Sequence, residues 1–330
     1  MEVFKLKNIL AIHTGGTISM SQNENGEVVP NNENPIASQQ VILKGKINLI
    51  TDEMFNLPSP HVTPEVMFEI KKRIQKAEAE EKIDGVVITH GTDTLEETAY
   101  FLDLTLQNTI PVVLTGAMRS SNEVGSDGLY NFQSAIRVAA DDQSYGKGVL
   151  VVMNDEIHTA RYVTKTHTTN VATFRTPTFG PIGLLEKEQV IFFQSLINSE
   201  VCDVDHVEKG VYLLKAYAGM DGMQIDALNQ ESTKGLVIEG LGAGNLPPKT
   251  LPAVQRLLDN NIPIVMVSRC YNGIAQGIYD YEGGGIQLQK MGVTLCKGLN
   301  GQKARIKLLI GISAGKSGED LKHFVSDAIS

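Results

Sequence analysis

The sequence predicts an α/β protein, with a doubly wound, mostly parallel sheet in a larger N-terminal domain and a smaller C-terminal α/β domain. Three observations carry that expectation. Short β-branched runs bounded by Gly, Pro or Asn alternate with longer segments whose apolar residues recur at helical spacing. The alternation lapses once, over residues 188–209, and then restarts. A chain of 330 residues, 42% of them hydrophobic, has enough apolar material for two cores.

In chain order, the first strand is the apolar run Ile9 to Ile12, which breaks into Thr14-Gly15-Gly16-Thr17. Next, SMSQNENGEVVPNN (19–32) carries Asn25-Gly26, a signal for a tight hairpin turn. A flap over the TGGT loop and an ordinary surface hairpin fit that signal equally well. PEVMFEIKKRIQKAEAEE (64–81), LEETAYFLDLTLQN (95–108) and LYNFQSAIRVAADD (129–142) read as helices. Between and after them, GVVITH (85–90), IPVVLTG (110–116) and GVLVVMN (148–154) read as buried strands. Strand, helix, strand in repetition makes a parallel sheet. The expected domains are therefore 1–187 and 210–330, joined by a linker over 188–209. In the second, GVYLLKAY (210–217), GLVIEGLG (235–242), IPIVMVSR (262–269) and RIKLLIGI (305–312) read as strands. PPKTLPAVQRLLDNN (247–261) and EDLKHFVSDAI (319–329) read as helices.

A net charge of −9 argues against nucleic acid, which needs clustered Lys and Arg, and against an anionic membrane surface. No apolar stretch approaches the roughly 20 residues of a membrane span. The start, MEVFKLKNILAIHTGG, has too short an apolar part for a signal peptide and reads as the first strand. Cys202, Cys270 and Cys296 are odd in number and form no CxxC, which predicts buried thiols and a cytoplasmic protein. The seven histidines form no HxH or HExxH pair, so no metal is expected. Two stretches imitate nucleotide motifs. GISAGKS (311–317) has three residues between its glycines where a P-loop needs four, and reads better as the start of a helix capped near Ser317. GLGAGN (240–245) has Asn245 where the third glycine of a dinucleotide fingerprint belongs, and reads as a tight turn. No cofactor is expected.

The chemistry concentrates elsewhere. In ITHGTDTLEETAYF (88–101) a buried strand ends at Thr89-His90, Gly91 turns the chain, and Thr92-Asp93 follow. Thr94 and Glu97 have capping-box spacing, so a helix should start at about residue 95. Thr92 and Asp93 then sit at a strand's carboxyl end and a helix N-terminus, where substrates of open α/β sheets bind. TGGT ends on the same rim if the two strands are parallel. A glycine turn after a buried strand either cradles phosphate or presents a hydroxyl nucleophile. Here it would bring Thr17 and Thr92 together with Asp93. A threonine hydroxyl needs a base within reach. His90 is turned away by strand alternation, and no Ser-His-Asp arrangement is present. A desolvated lysine is the other option. Lys165, in ARYVTKTHTTN (160–170) and flanked by Thr164 and Thr166, is the candidate, with a solvated surface lysine as the competing reading.

TGGTI, HGTDT-x-EETA, TGAMR with a following SDG-x-xN, and VTKT together resemble the bacterial L-asparaginases. The likeness runs along essentially the whole chain, including GLNGQKARIKLL (298–309). It implies hydrolysis of the side-chain amide of L-asparagine through an acyl-enzyme, with no cofactor. Thr17 matches the attacking threonine. Thr92 matches the second threonine, with Lys165 as its base and Asp93 completing the triad. Asp93 also matches the group that receives the α-ammonium, and Ser59 in LPSPH the one that receives the α-carboxylate. Main-chain amides around Gly16, Gly91 and Thr92 would serve the oxyanion and substrate, and the Ala117 carbonyl the leaving amide. Asn245 and Glu282 match positions that a partner subunit contributes, so the resemblance implies a homo-oligomer, a dimer or a dimer of dimers.

Two features depart from the family pattern. The family carries a flap tyrosine after TGGT, and this chain has no Tyr before Tyr100; Tyr281 is a conceivable substitute. Pro60 stands beside Ser59 where other members carry a polar residue such as Gln. On this reading TGGT displays a nucleophile, and its glycines let the backbone approach a small substrate closely. A mixed glutaminase-asparaginase differs only in pocket detail. An amidotransferase subunit would carry an RNA-contacting region and more basic surface, and an amino-acid sensor would have no need of the base.

Overall fold

Between Ile9 and Ile12 the chain has no polar side chain, and all four residues are fully buried. They belong to β1 (Lys7–His13), and a strand covered on both faces needs such a run. The computed structural model describes residues 6–31, 34–36, 47–198, 200–326 and 328–329. The chain divides into two units, Met1–Val201 and Cys202–Ser330.

In the first unit β2 (Met20–Gln22) and β3 (Val28–Pro30) pair antiparallel around the Asn25-Gly26 turn, with Gly26 at a φ of 78° that suits glycine. This is the predicted hairpin, though its last expected residue, Asn32, lies outside the described residues. There follow β4 (Ile47–Glu53), α1 (Pro64–Glu80), β5 (Gly85–Thr89), α2 (Leu95–Thr105), β6 (Val112–Thr115), α3 (Gly128–Ala140) and β7 (Val149–Met153). The unit continues with β8 (Glu156–Thr159), β9 (Thr164–Lys165), β10 (Phe174–Arg175), β11 (Gly183–Glu186) and β12 (Gln189–Phe192).

Eight strands form one sheet in the order β12-β11-β8-β7-β6-β5-β1-β4. Neighbours from β7 to β4 are parallel, and β8, β11 and β12 join antiparallel. The α/β, mostly parallel architecture is the one the sequence predicts. From β1 the chain moves out to β4, then returns through α1 to β5 on the other side of β1. Strand order therefore reverses between β1 and β5, which opens a crevice at their carboxyl ends. One face of the sheet packs Ile9, Ala11, Val87, Val113 and Val152 against Phe132, Ala135 and Ile136 of α3. Strand alternation sends Leu10, Ile12, Val86, Ile88 and Leu114 to the other face, where all are buried. There α2 packs on β6 and β7 with α1 beside it. Strand β12 falls inside the segment read as linker. Its residues alternate between exposed and half-buried, as on a sheet edge, and Ser199 in the same segment is outside the described residues.

The second unit contains β13 (Val211–Lys215), α4 (Met223–Asp226), β14 (Gly235–Gly240), α5 (Leu251–Asp259), β15 (Ile264–Ser268), α6 (Gly285–Met291), β16 (Thr294–Leu295), α7 (Gly301–Ser313) and α8 (Gly318–Ser326). Its four strands lie parallel in sequence order. One expectation is overturned: RIKLLIGI is not a strand but the body of α7. The Asn300 side chain caps that helix by accepting the Lys303 N–H. Ile306, Leu308, Leu309 and Ile310 are all buried, as is Lys307 between them, so the helix shows no 3.6-residue apolar period. GISAGKS closes α7 in a Schellman arrangement, with Lys316 N–H on the Gly311 carbonyl and Gly315 N–H on that of Ile312. Helix α8 starts directly after Ser317, and Asp327, near its expected end, is outside the described residues. Cys202 and Cys296 are buried as expected, whereas Cys270 is exposed.

Candidate active site

TGGT and HGTD leave the carboxyl ends of β1 and β5, which are paired parallel up to His13 and Thr89. Thr14 anchors the crossing by donating both its N–H and its hydroxyl to the Thr89 carbonyl, at 3.1 and 2.9 Å. Gly16 has φ 84° and ψ 179°, and a Cβ there would stand 2.2 Å from the Gly91 Cα. Only glycine permits that approach. A Cβ on Gly91 would stand 2.7 Å from the Ser59 Cβ, so TGGT, HGTD and LPSPH meet nearly backbone to backbone. Thr17 is half-buried in the single helical turn Thr17–Ser19 that follows Gly16.

Ser59 is buried, and its Oγ accepts the Asp93 N–H at 3.1 Å. That leaves its own proton directed elsewhere. Pro60 follows in the same short turn, exposed to solvent. The expected side-chain cap of α2 does not form. Thr94 Oγ1 instead donates to the Ser59 carbonyl at 2.8 Å, tying HGTDT to LPSPH, and α2 still begins at Leu95. Ala117 is buried in the loop after β6, and a Cβ on neighbouring Gly116 would lie 3.2 Å from Thr92 Cγ2. That loop is held by Asp127, which accepts the Met118 and Arg119 N–H groups, and by Asn131, which donates to the Gly116 carbonyl at 3.0 Å.

Lys165 reaches this rim from β9. Its Nζ donates to Thr92 Oγ1 at 2.9 Å and to Asp93 Oδ1 at 2.7 Å. The lysine side chain is only 17% exposed, less than a solvated surface lysine would be. Beneath it Glu96, in the first turn of α2 and 4% exposed, accepts the Thr164 hydroxyl at 2.9 Å and the Lys165 N–H at 3.2 Å. Glu96, Asp127 and Asn131 received no role from the sequence. The i,i+4 spacing of Asp127 and Asn131 at the start of α3 is the available signal for the latter two.

Residues 8–198 match the family model for the asparaginase N-terminal domain, and residues 210–324 that for the glutaminase/asparaginase C-terminal domain. The chain belongs to the asparaginase family. It is 38% identical to a probable L-asparaginase of Deinococcus radiodurans, over 98% of both chains. It is 35% identical to an L-asparaginase of Bacillus licheniformis, over 94% of this chain and 97% of the relative. The crystal structure of a probable cytoplasmic L-asparaginase from Campylobacter jejuni superposes with a TM-score of 0.85, at 33% identity over 97% of this chain and 99% of that one. The protein is thus an amidohydrolase.

Two buried histidines lie directly under the asparaginase rim. His90 Nδ1 donates to the Gly91 carbonyl at 2.8 Å, so Nε2 is left to accept the Thr98 hydroxyl at 2.9 Å; it braces the turn from behind. His13 Nδ1 lies 2.7 Å from Thr89 Oγ1. Burial lowers both pKa values from 6.5 to about 4. Between those pH values the unfolded chain binds protons that the folded chain refuses. Stability should therefore be full above about pH 6.5 and fall as the pH drops toward 4, by roughly 3 kcal/mol per histidine. Urea midpoints measured from pH 7 to pH 4 test this; a His90→Gln variant should flatten the fall, and an unchanged slope would remove His90 as its source.

Asn245 and Glu282 lie in the second unit of this family member. Asn245 Oδ1 accepts the Gly285 N–H at 3.1 Å, and the Leu246 N–H donates to the Gly283 carbonyl at 2.9 Å. These bonds set Asn245 beside the loop bearing Glu282 and the exposed Tyr281. Among the described residues no group of His, Cys, Asp and Glu is arranged to hold a metal ion, and no helix is long and apolar enough to cross a membrane.

Proposed function

We propose that this amidohydrolase converts L-asparagine to L-aspartate and ammonia, with Thr17 as nucleophile and Thr92, Lys165 and Asp93 as a second catalytic group. The supporting observation is the Lys165 Nζ standing between Thr92 Oγ1 and Asp93 Oδ1, on loops that touch TGGT. Asp93 Oδ2 is left for the substrate's α-ammonium, and the Ser59 hydroxyl proton for the α-carboxylate. Thr17 Oγ adds to the side-chain carbonyl carbon, and main-chain N–H groups around Gly16 and Thr92 receive the oxyanion. The C–N bond breaks, and the nitrogen leaves as ammonia carrying the proton given up by Thr17. Lys165, held by Asp93, takes up the Thr92 hydroxyl proton as base. Thr92 so activated directs water onto the Thr17 ester, releasing aspartate. The Ala117 carbonyl holds the amide nitrogen in place before it departs.

The glutaminase reading is tested through Pro60. A polar residue there would reach the α-carboxylate and help hold a longer substrate in register. Proline offers neither a side-chain donor nor an N–H. With the α-end fixed by Asp93 and Ser59, one extra methylene carries the glutamine carbonyl out of line with Thr17. A methylene is worth ~1–3 kcal/mol, roughly 10–200-fold. Ammonia release should therefore favour asparagine over glutamine by more than about tenfold in kcat/KM. Comparable values would make the protein a mixed glutaminase-asparaginase, and release from neither would remove the functional assignment. We also propose that a partner subunit completes the site with Asn245 and Glu282. Sedimentation at the assay concentration checks this in the same experiment, because a fully active monomer excludes it.

A further inference from the structure

We infer that Glu96 is a positioning residue, whose carboxyl group sets where the Lys165 side chain stands relative to Thr92 and Asp93. The inference rests on the reading of Lys165 as the base. Strand β9, which carries Lys165, is two residues long and pairs with the two residues of β10. So small a ladder is marginal on its own, and a lysine at its tip has four further bonds of freedom. The lysine nonetheless meets two acceptors at 2.9 and 2.7 Å. Glu96 supplies a tie between strand and helix. It sits in the first turn of α2, three residues after Asp93, where the helix N-terminus favours a carboxylate. Its Oε1 accepts from the Thr164 hydroxyl and from the backbone N–H of Lys165 itself. The helix whose N-terminus presents Thr92 and Asp93 thereby also grips the backbone from which Lys165 springs. Glu96 closes this loop from below and acts through Lys165.

The test compares Glu96→Ala, Glu96→Gln, Lys165→Met and the double variant Glu96→Ala/Lys165→Met on asparagine. Misplacing a catalytic group by about 1 Å costs about a hundredfold, so Glu96→Ala should lower kcat by about 30–100-fold. KM should stay within about twofold, because the α-end is held by Asp93 and Ser59. Glu96→Gln keeps the accepting oxygen and should retain kcat within about threefold. In the Lys165→Met background, Glu96→Ala should cost less than about threefold more. A crystal structure of Glu96→Ala should show the Lys165 Nζ beyond hydrogen-bond reach of Thr92 Oγ1. Parental kcat in Glu96→Ala, or an undiminished effect in the Lys165→Met background, overturns the inference. Should Glu96→Ala fail to fold, Thr164→Val removes a donor to the same oxygen. It should lower kcat with KM unchanged, Thr164→Ser should restore it, and parental kcat in Thr164→Val overturns the inference. Full turnover in Lys165→Met would sink the base reading separately, since the position of Lys165 in the Glu96→Ala crystal is read without reference to rate.

Discussion

Thr17→Ala and Thr92→Ala should each lower turnover on asparagine by several orders of magnitude while leaving the fold intact. The fold should survive because neither hydroxyl holds up a core. Thr17 is half-buried in the turn after TGGT, and the Thr92 hydroxyl meets Lys165 at the rim. Alanine fits both backbones without strain, since neither residue has a positive φ. The kinetic loss should be large because, on the proposed mechanism, the two hydroxyls serve the two halves of one reaction, acylation and release. Three orders of magnitude correspond to about 4 kcal/mol of lost transition-state stabilisation, well beyond what a surface truncation costs. Members of one catalytic unit are strongly non-additive, so Thr17→Ala/Thr92→Ala should be little worse than either single variant. Ammonia release gives the rates, and thermal melting separates lost chemistry from lost fold. Near-parental turnover in either single variant removes that threonine from the mechanism.

The frame that holds these hydroxyls was legible in the sequence because its cause is local. Strands such as Ile9–Ile12 and Val86–Ile88 are buried on both faces and must be apolar throughout. The glycines of TGGT and HGTD are required by backbones in contact, and their spacing after strands is visible in one dimension. What failed to show depends on distant partners. Thr94 and Glu97 satisfy the capping pattern, yet the Thr94 hydroxyl is claimed by Ser59, thirty-five residues away. Glu96 reads as one more acidic residue in a helix's first turn, because Thr164, its partner, is 68 residues on. Helix α7 was missed for a different reason. Burial around most of its circumference erases the periodicity that separates helix from strand, and the Asn300 cap was the only local clue.

Lys165→Met should be nearly as damaging to turnover as loss of either threonine, with little change in melting temperature. Methionine keeps most of the stem volume and deletes the amine, so the substitution isolates proton transfer from packing. A solvated lysine would predict the opposite, because truncating one usually changes stability and activity within small factors. Geometry separates the two readings. This side chain is 17% exposed, and its Nζ is spent on Thr92 Oγ1 and Asp93 Oδ1. The ion pair itself contributes little to stability, since Asp93 is 59% exposed and water screens it. On the proposed mechanism the amine is the base for the Thr92 hydroxyl, which lies 2.9 Å from its Nζ. Loss of kcat by orders of magnitude, with KM changed far less because Asp93 and Ser59 would still hold the α-end on the proposed reading, is the expected signature. A Lys165→Met enzyme that kept most of its turnover would return Lys165 to the class of ordinary surface cations and leave Thr92 without a base.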